Sequence, residues 1–246
     1  MATIPKKVSV GRDSAVASSL YGKTAKDKRT FIEEARRAQI LDAALKLFTQ
    51  RGYNETTLSD IASSVGVSKG VISYHFDGKG ELGAEALRHM LRRYGEYVRG
   101  RIDAKATLRE KLLELPAACI DFVRDGSANY VVYLDTLGSF GSALERRRFM
   151  AWADAGMREL ICEMLQQAQE RKEIPKFPVQ PLADVLQAAV DGLTAQASVA
   201  PDKVDLDASG RVLQQMLAAV LDARVELPRR RVSRPSKAAP PGATND

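Results

Sequence analysis

Ile40, Leu41, Ala44, Leu47 and Phe48 recur at i, i+1, i+4, i+7 and i+8, laying one apolar stripe along a helix. Gly52 follows Gln50 and Arg51 and is placed to close that helix, because glycine takes a positive φ without a Cβ clash. Thr57-Leu58-Ser59-Asp60 then has the form of a capping box. It opens a short helix whose apolar face is Leu58, Ile61, Ala62 and Val65. Gly66 ends that helix, Val67 turns inward, and Ser68 caps a third helix running to about Phe76. Two short helices joined by so tight a glycine turn must cross steeply, which is the helix-turn-helix arrangement.

Beyond this unit the apolar pattern stays helical. It predicts helices over about Lys79–Arg101, Thr107–Arg124, Ala128–Phe140, Leu144–Lys172, Pro181–Val199 and Leu206–Val225, with Pro181 suited to a first turn. No period-2 run and no internal repeat is present. The expected organisation is a flexible basic arm at 1–30, a helix-turn-helix domain at 31–78, a helical body at 79–227 and a disordered basic tail at 228–246.

On the third helix, Ile72 and Phe76 are i, i+4 partners destined for the core. Lys69, Gly70, Ser73 and Tyr74 fall on the neighbouring face, and small, polar and basic groups there suit a major groove. Lys69 can reach guanine acceptors or a phosphate, Gly70 lets backbone approach, and Ser73 can bond a base edge or phosphate. Tyr74, His75 and Lys79 lie toward the helix end, where phosphate contact is expected. With Thr57 and Ser68 at the helix starts, these residues form the candidate DNA-contacting set. A reading in which Tyr74 and His75 only cover the end of the core stays open.

Residues 36–82 resemble the DNA-binding domain of the TetR family of transcriptional regulators. The resemblance is carried by Gly52-Tyr53, Thr56-Thr57, Gly66-Val67-Ser68, and Tyr74-His75-Phe76 followed by Lys79. Two positions depart from it. Ser73 stands where many members carry Tyr, which removes one phosphate or base contact. Gly80 stands where many carry Glu, which should fray the opening turn of the fourth helix. The resemblance implies an all-α fold, with a three-helix DNA-binding domain followed by a helical ligand-binding and dimerisation domain. It also implies a homodimer that reads a palindromic double-stranded operator, and a pocket for a small effector.

Charge distribution fits that division. The 246 residues carry a formal +6, but residues 1–100 hold 17 Lys/Arg against 11 Asp/Glu, residues 101–227 hold 15 against 19, and residues 228–246 hold 5 against 1. The basic excess sits with the DNA reader and the tail. Cys119 and Cys162 lie inside apolar helical patterns and are expected to be reduced core residues. No apolar run near the start resembles a secretory signal, and no window approaches the roughly 20 apolar residues a membrane span needs. A soluble cytoplasmic protein without a membrane association is expected.

Two features of the body carry candidate function. Leu186, Ala189, Gly192 and Leu193, with Leu213, Met216, Leu217 and Val220, place apolar and small residues at close spacing on the last two helices. Doubled by a twofold axis, these helices make a four-helix bundle, and mid-helix Gly192 suggests close approach. Alternatively, they fill the protomer's own core. The middle helices supply Phe122, Tyr130, Tyr133, Leu137, Phe140 and Trp152, candidates to line a pocket for a mostly apolar effector. An enzyme reading finds little support: the two histidines are His75 and His89, no Cys/His spacing suggests a metal, and no glycine-rich phosphate loop follows a strand. Neither a metal nor a cofactor is expected. The expected function is an effector-responsive repressor that binds a palindromic operator as a homodimer; two alternatives remain, an activator on the same scaffold and a non-specific DNA-compacting protein.

Overall fold

A computed structural model describes residues 31–125 and 130–222; the expected arm at 1–30 and tail at 228–246 lie outside them. Helices α1 (Phe31–Arg51), α2 (Leu58–Ser64), α3 (Lys69–His75) and α4 (Gly78–Asp103) are followed by α5 (Leu108–Arg124), α6 (Tyr130–Gly138), α7 (Ala143–Glu170), α8 (Val179–Val199) and α9 (Leu206–Leu221). The described residues hold no strand. Each expected helix is found, with its described ends within a few residues of the expectation.

Local chemistry explains the ends. The Thr57–Asp60 capping box forms as read, and Thr107 with Glu110 and Ser142 with Glu145 form two more. Gly52, Gly66 and Gly78 all take positive φ, at 84°, 69° and 81°. The expected fraying at Gly80 is absent: Glu81, one residue later, accepts the Asp77 amide and satisfies a free donor at the start of α4. Proline 181 sits in the first turn of α8, where an N–H has no intrahelical partner.

Two cores divide the molecule. In the reader, Ile40, Phe48, Ile61, Ile72 and Phe76 are each 2% exposed or less, joined by Leu82 of α4 and Val132 of α6. Full burial of each such side chain stabilises by about 1.5–3 kcal/mol, which lets the two short helices α2 and α3 hold one geometry against α1. In the body, α5 is central, with Leu112, Leu115 and Cys119 packed against Ile161, Leu165, Leu186 and Leu217. A smaller cluster of Leu87, Met90, Leu137, Phe149 and Ala153 bridges the two. The cysteines are unpaired; Cys119 is buried and Cys162 only half-buried.

Candidate functional site

The reader's outer face follows from what pins its inner one. Ile72 and Phe76 hold α3 against α1, and Ser68 caps it by accepting the Val71 amide at 3.4 Å. That leaves Thr57, Ser68, Lys69, Gly70, Ser73 and Tyr74 exposed, with Tyr74 at 74%. The Thr57 hydroxyl is engaged with the Asp60 carboxylate at 2.6 Å, which holds that carboxyl below its usual range. The Tyr74 hydroxyl donates to Glu33 at the start of α1, 3.2 Å away.

Two candidates are more constrained than their spacing suggested. His75 is half-buried, its ring 5.1 Å from Tyr74 and 6.3 Å from Phe76. The Lys79 ammonium donates to the Asn54 carbonyl at 3.0 Å and lies 4.5 Å from the Tyr53 ring centroid. Lys79 therefore fastens α4 to the first loop as well as adding positive charge. Sequence reading missed Arg37. Its guanidinium donates to the His75 carbonyl at 3.2 Å and to Glu85 at 2.6 Å, and lies 4.3 Å from the Phe76 ring centroid. This side chain ties the end of α3 to α4. A signal existed: Arg37 lies one turn before Ile40, beside the core stripe.

A cavity of about 250 Å³ opens in the body between α4, α5, α6, α7 and α8. Tyr94, Tyr130 and Tyr133 form aromatic walls, with the last two rings 5.8 Å apart. Asp154 and Asp191 project into the same space. Burial raises the Asp154 carboxyl above its ordinary value; burial and then the nearby Asp154 charge push Asp191 up to about 6. Burial also raises the Tyr133 phenol, so it stays neutral. The Gln187 side-chain oxygen is buried there without a hydrogen-bond partner among the described residues. Among the described residues lining the cavity, none is Lys or Arg. Such a site offers aromatic faces, neutral hydroxyls and net negative charge.

The six pocket candidates do not converge. Tyr130 and Tyr133 line the cavity. Phe140 and Trp152 border a separate, more open cleft beside Arg88. Leu137 is 4% exposed within the bridging cluster, and Phe122 is 5% exposed, packed on Tyr94 and Tyr97 at 5.3 and 5.5 Å. These two are core, because the side of each helix that carries them faces another helix. Missed from sequence were Tyr94, Asp154, Gln187 and Asp191. A carboxylate inside an otherwise apolar run, as Asp154 is between Trp152 and Met157, was the available clue.

The candidate interface residues also divide. Leu186, Leu213 and Leu217 are buried in the protomer's own core, and Val220 packs against it, because the inward stripe of each helix consumes them. Ala189 and Leu193, which also pack against that core, border with Gly192, Leu213 and Met216 a shallow surface groove between α8 and α9. Around it Val185, Val212 and Met216 are 63%, 54% and 62% exposed. A Cβ on Gly192 would meet nothing within 4 Å, so the close approach expected there is not made within the protomer.

Two family models match this chain. Residues 40–86 match the family described as bacterial regulatory proteins, tetR family, and residues 108–222 match the BetI-type transcriptional repressor, C-terminal. The HTH-type transcriptional regulator BetI of Paraburkholderia phymatum is 28% identical over 191 residues, 77% of this chain and 95% of its own. Among solved structures, a transcriptional regulator from Saccharomonospora viridis in complex with choline has a TM-score of 0.63 at 24% identity, covering 75% of this chain and 96% of that one. The regulator FadR from Bacillus subtilis in complex with stearoyl-CoA has a TM-score of 0.60 at 22% identity, covering 73% and 96%. Those two likenesses speak for the fold. The matched families and the curated relative are regulators of transcription rather than enzymes.

Proposed function

We propose that this chain, which belongs to the TetR family of bacterial DNA-binding transcriptional regulators, is a homodimeric repressor released from its operator by a small organic cation. The observation that carries the effector reading is the joint presence of Tyr94, Tyr130, Tyr133, Asp154 and Asp191 around one small cavity, with no Lys or Arg among its described lining residues. A cation over an aromatic face gains about 0.5–2 kcal/mol, more as water is excluded, and the carboxylates supply the countercharge. The ligand remains mostly apolar in body, as its walls are, but carries a positive head. Choline, bound by the Saccharomonospora viridis regulator of the same fold, has this chemistry. An acyl-CoA, bulky and anionic, suits neither the 250 Å³ volume nor the carboxylates.

Dimerisation is supported by the exposed Val185, Val212 and Met216 around the α8–α9 groove. A twofold axis through that face sets two α3 helices on one side of the duplex, for half-sites about 34 Å apart. Thr57, Ser68, Lys69, Gly70, Ser73 and Tyr74 make the contacts there, with His75 and Lys79 at the margin. Repression rather than activation follows the match of the body to BetI-type repressors. Release follows from α4, which runs unbroken from the reader to Met90, Leu91 and Tyr94 on the cavity wall. An effector shifts DNA affinity only as far as it prefers the off-DNA geometry. Fluorescence anisotropy on the DNA upstream of the protein's own gene, with and without choline, tests this. Specific binding that choline weakens is expected; choline that binds while operator affinity stays constant refutes the coupling, and equal affinity for random duplex refutes specific reading.

A further inference from the structure

We propose that in mildly acidic solution effector binding in the body cavity is coupled to the release of up to one proton, which the Asp154–Asp191 pair holds there before the effector arrives; this rests on the cationic-effector reading above. Both carboxylates line one cavity, and the groups facing them are poor in positive charge. From α4 comes Tyr94, and from α6 come Tyr130 and Tyr133, all phenols. From α5 comes the Cys119 thiol, kept neutral by burial. From α8 itself come Gln187 and Thr194; the Thr194 hydroxyl donates along its own helix, 2.9 Å from the Val190 carbonyl. Among the described residues, the one cation acting on both carboxylates is Arg158 of α7, whose guanidinium is also paired with Asp184 at 3.1 Å.

Two carboxylates on apolar and aromatic walls, sharing part of one guanidinium, cannot both ionise cheaply. Burial and the Asp154 charge accordingly push Asp191 up to about 6. An arriving monocation supplies the missing charge and lowers the proton affinity of the pair. The balance is a protonated pair plus free cation, giving an ionised pair with bound cation plus a proton released to water; one O–H bond breaks and nothing is oxidised or reduced. Acidification through about pH 6 then weakens effector binding and keeps the regulator on its operator.

Isothermal titration of the full-length protein with choline, between pH 5 and 8 in two buffers of different ionisation enthalpy, tests this. The expected result is about tenfold weaker binding at pH 5 than at pH 8, with close to one proton released per choline at pH 5 and almost none at pH 8. Asp191→Asn should bind choline more weakly at pH 8 and lose the pH dependence. Tight binding with one affinity across the range and no proton release overturns the proposal while leaving the cation reading intact. Wild-type pH dependence in a folded Asp191→Asn protein overturns it as well. No choline binding at any pH removes the cation reading and the proposal with it.

Discussion

Gly83 and Gly100 both lie inside α4, so replacing either by alanine removes the same backbone-entropy cost, about 1 kcal/mol. Their surroundings differ. A Cβ at Gly100 meets nothing within 4 Å, whereas one at Gly83 falls 2.7 Å from Tyr53 Cε2 and 3.1 Å from Thr136 Cγ2. Neither neighbour yields easily. Tyr53 is 5% exposed, with its hydroxyl donating to the Lys79 carbonyl at 3.2 Å, and Thr136 is 0% exposed. Overpacking a tight core costs about 1–3 kcal/mol. Gly100→Ala should therefore raise stability by about 1 kcal/mol and Gly83→Ala lower it by about 1, a gap of about 2. Urea denaturation of both variants and the parent at one protein concentration measures that gap. Equal stabilisation by the two substitutions would refute the reasoning, because it would mean that the Tyr53 ring gives way freely. The same variant reports on coupling: Tyr53 belongs to the reader, and α6 carries both Thr136 and the cavity residue Tyr133. A helix seated on glycine between them should pass strain either way.

Lys69→Ala and Tyr74→Ala should each weaken operator binding by about 1–3 kcal/mol without lowering thermal stability; wild-type affinity in both would show that α3 is not the reading helix. Val212→Asp combined with Met216→Asp places charge on an exposed apolar face, so sedimentation velocity should find folded monomers, and an unchanged dimer would place the interface elsewhere. The native Asp191 carboxyl lies near 6 against an ordinary 3.8, so between about pH 4 and 6 the folded chain keeps a proton that the unfolded chain has lost. Stability owed to this group is complete below about pH 4 and declines as pH rises through 6; thermal midpoints should show that decline in the parent and its loss in Asp191→Asn.

The reader was legible because most of what builds it is local. Caps such as Thr57 to Asp60 span four residues, the stripe through Ile40, Ala44 and Phe48 recurs every turn, and Gly52 and Gly66 mark chain reversals by their φ alone. Arg37 escaped notice because its partners, His75 and Glu85, are far away in sequence. The body was legible as helices and illegible as a site. Cavity wall, protomer core and subunit interface all demand apolar residues at helical spacing, so Leu186, Phe122 and Tyr130 look alike in the chain. Packing alone assigned Leu186 and Phe122 to the core and Tyr130 to the cavity. It also brought Asp154 of α7 and Asp191 of α8 into one low-dielectric space, where their charges oppose each other. Periodicity dictates which side of a helix is buried; only the neighbouring helix decides what that side is buried against.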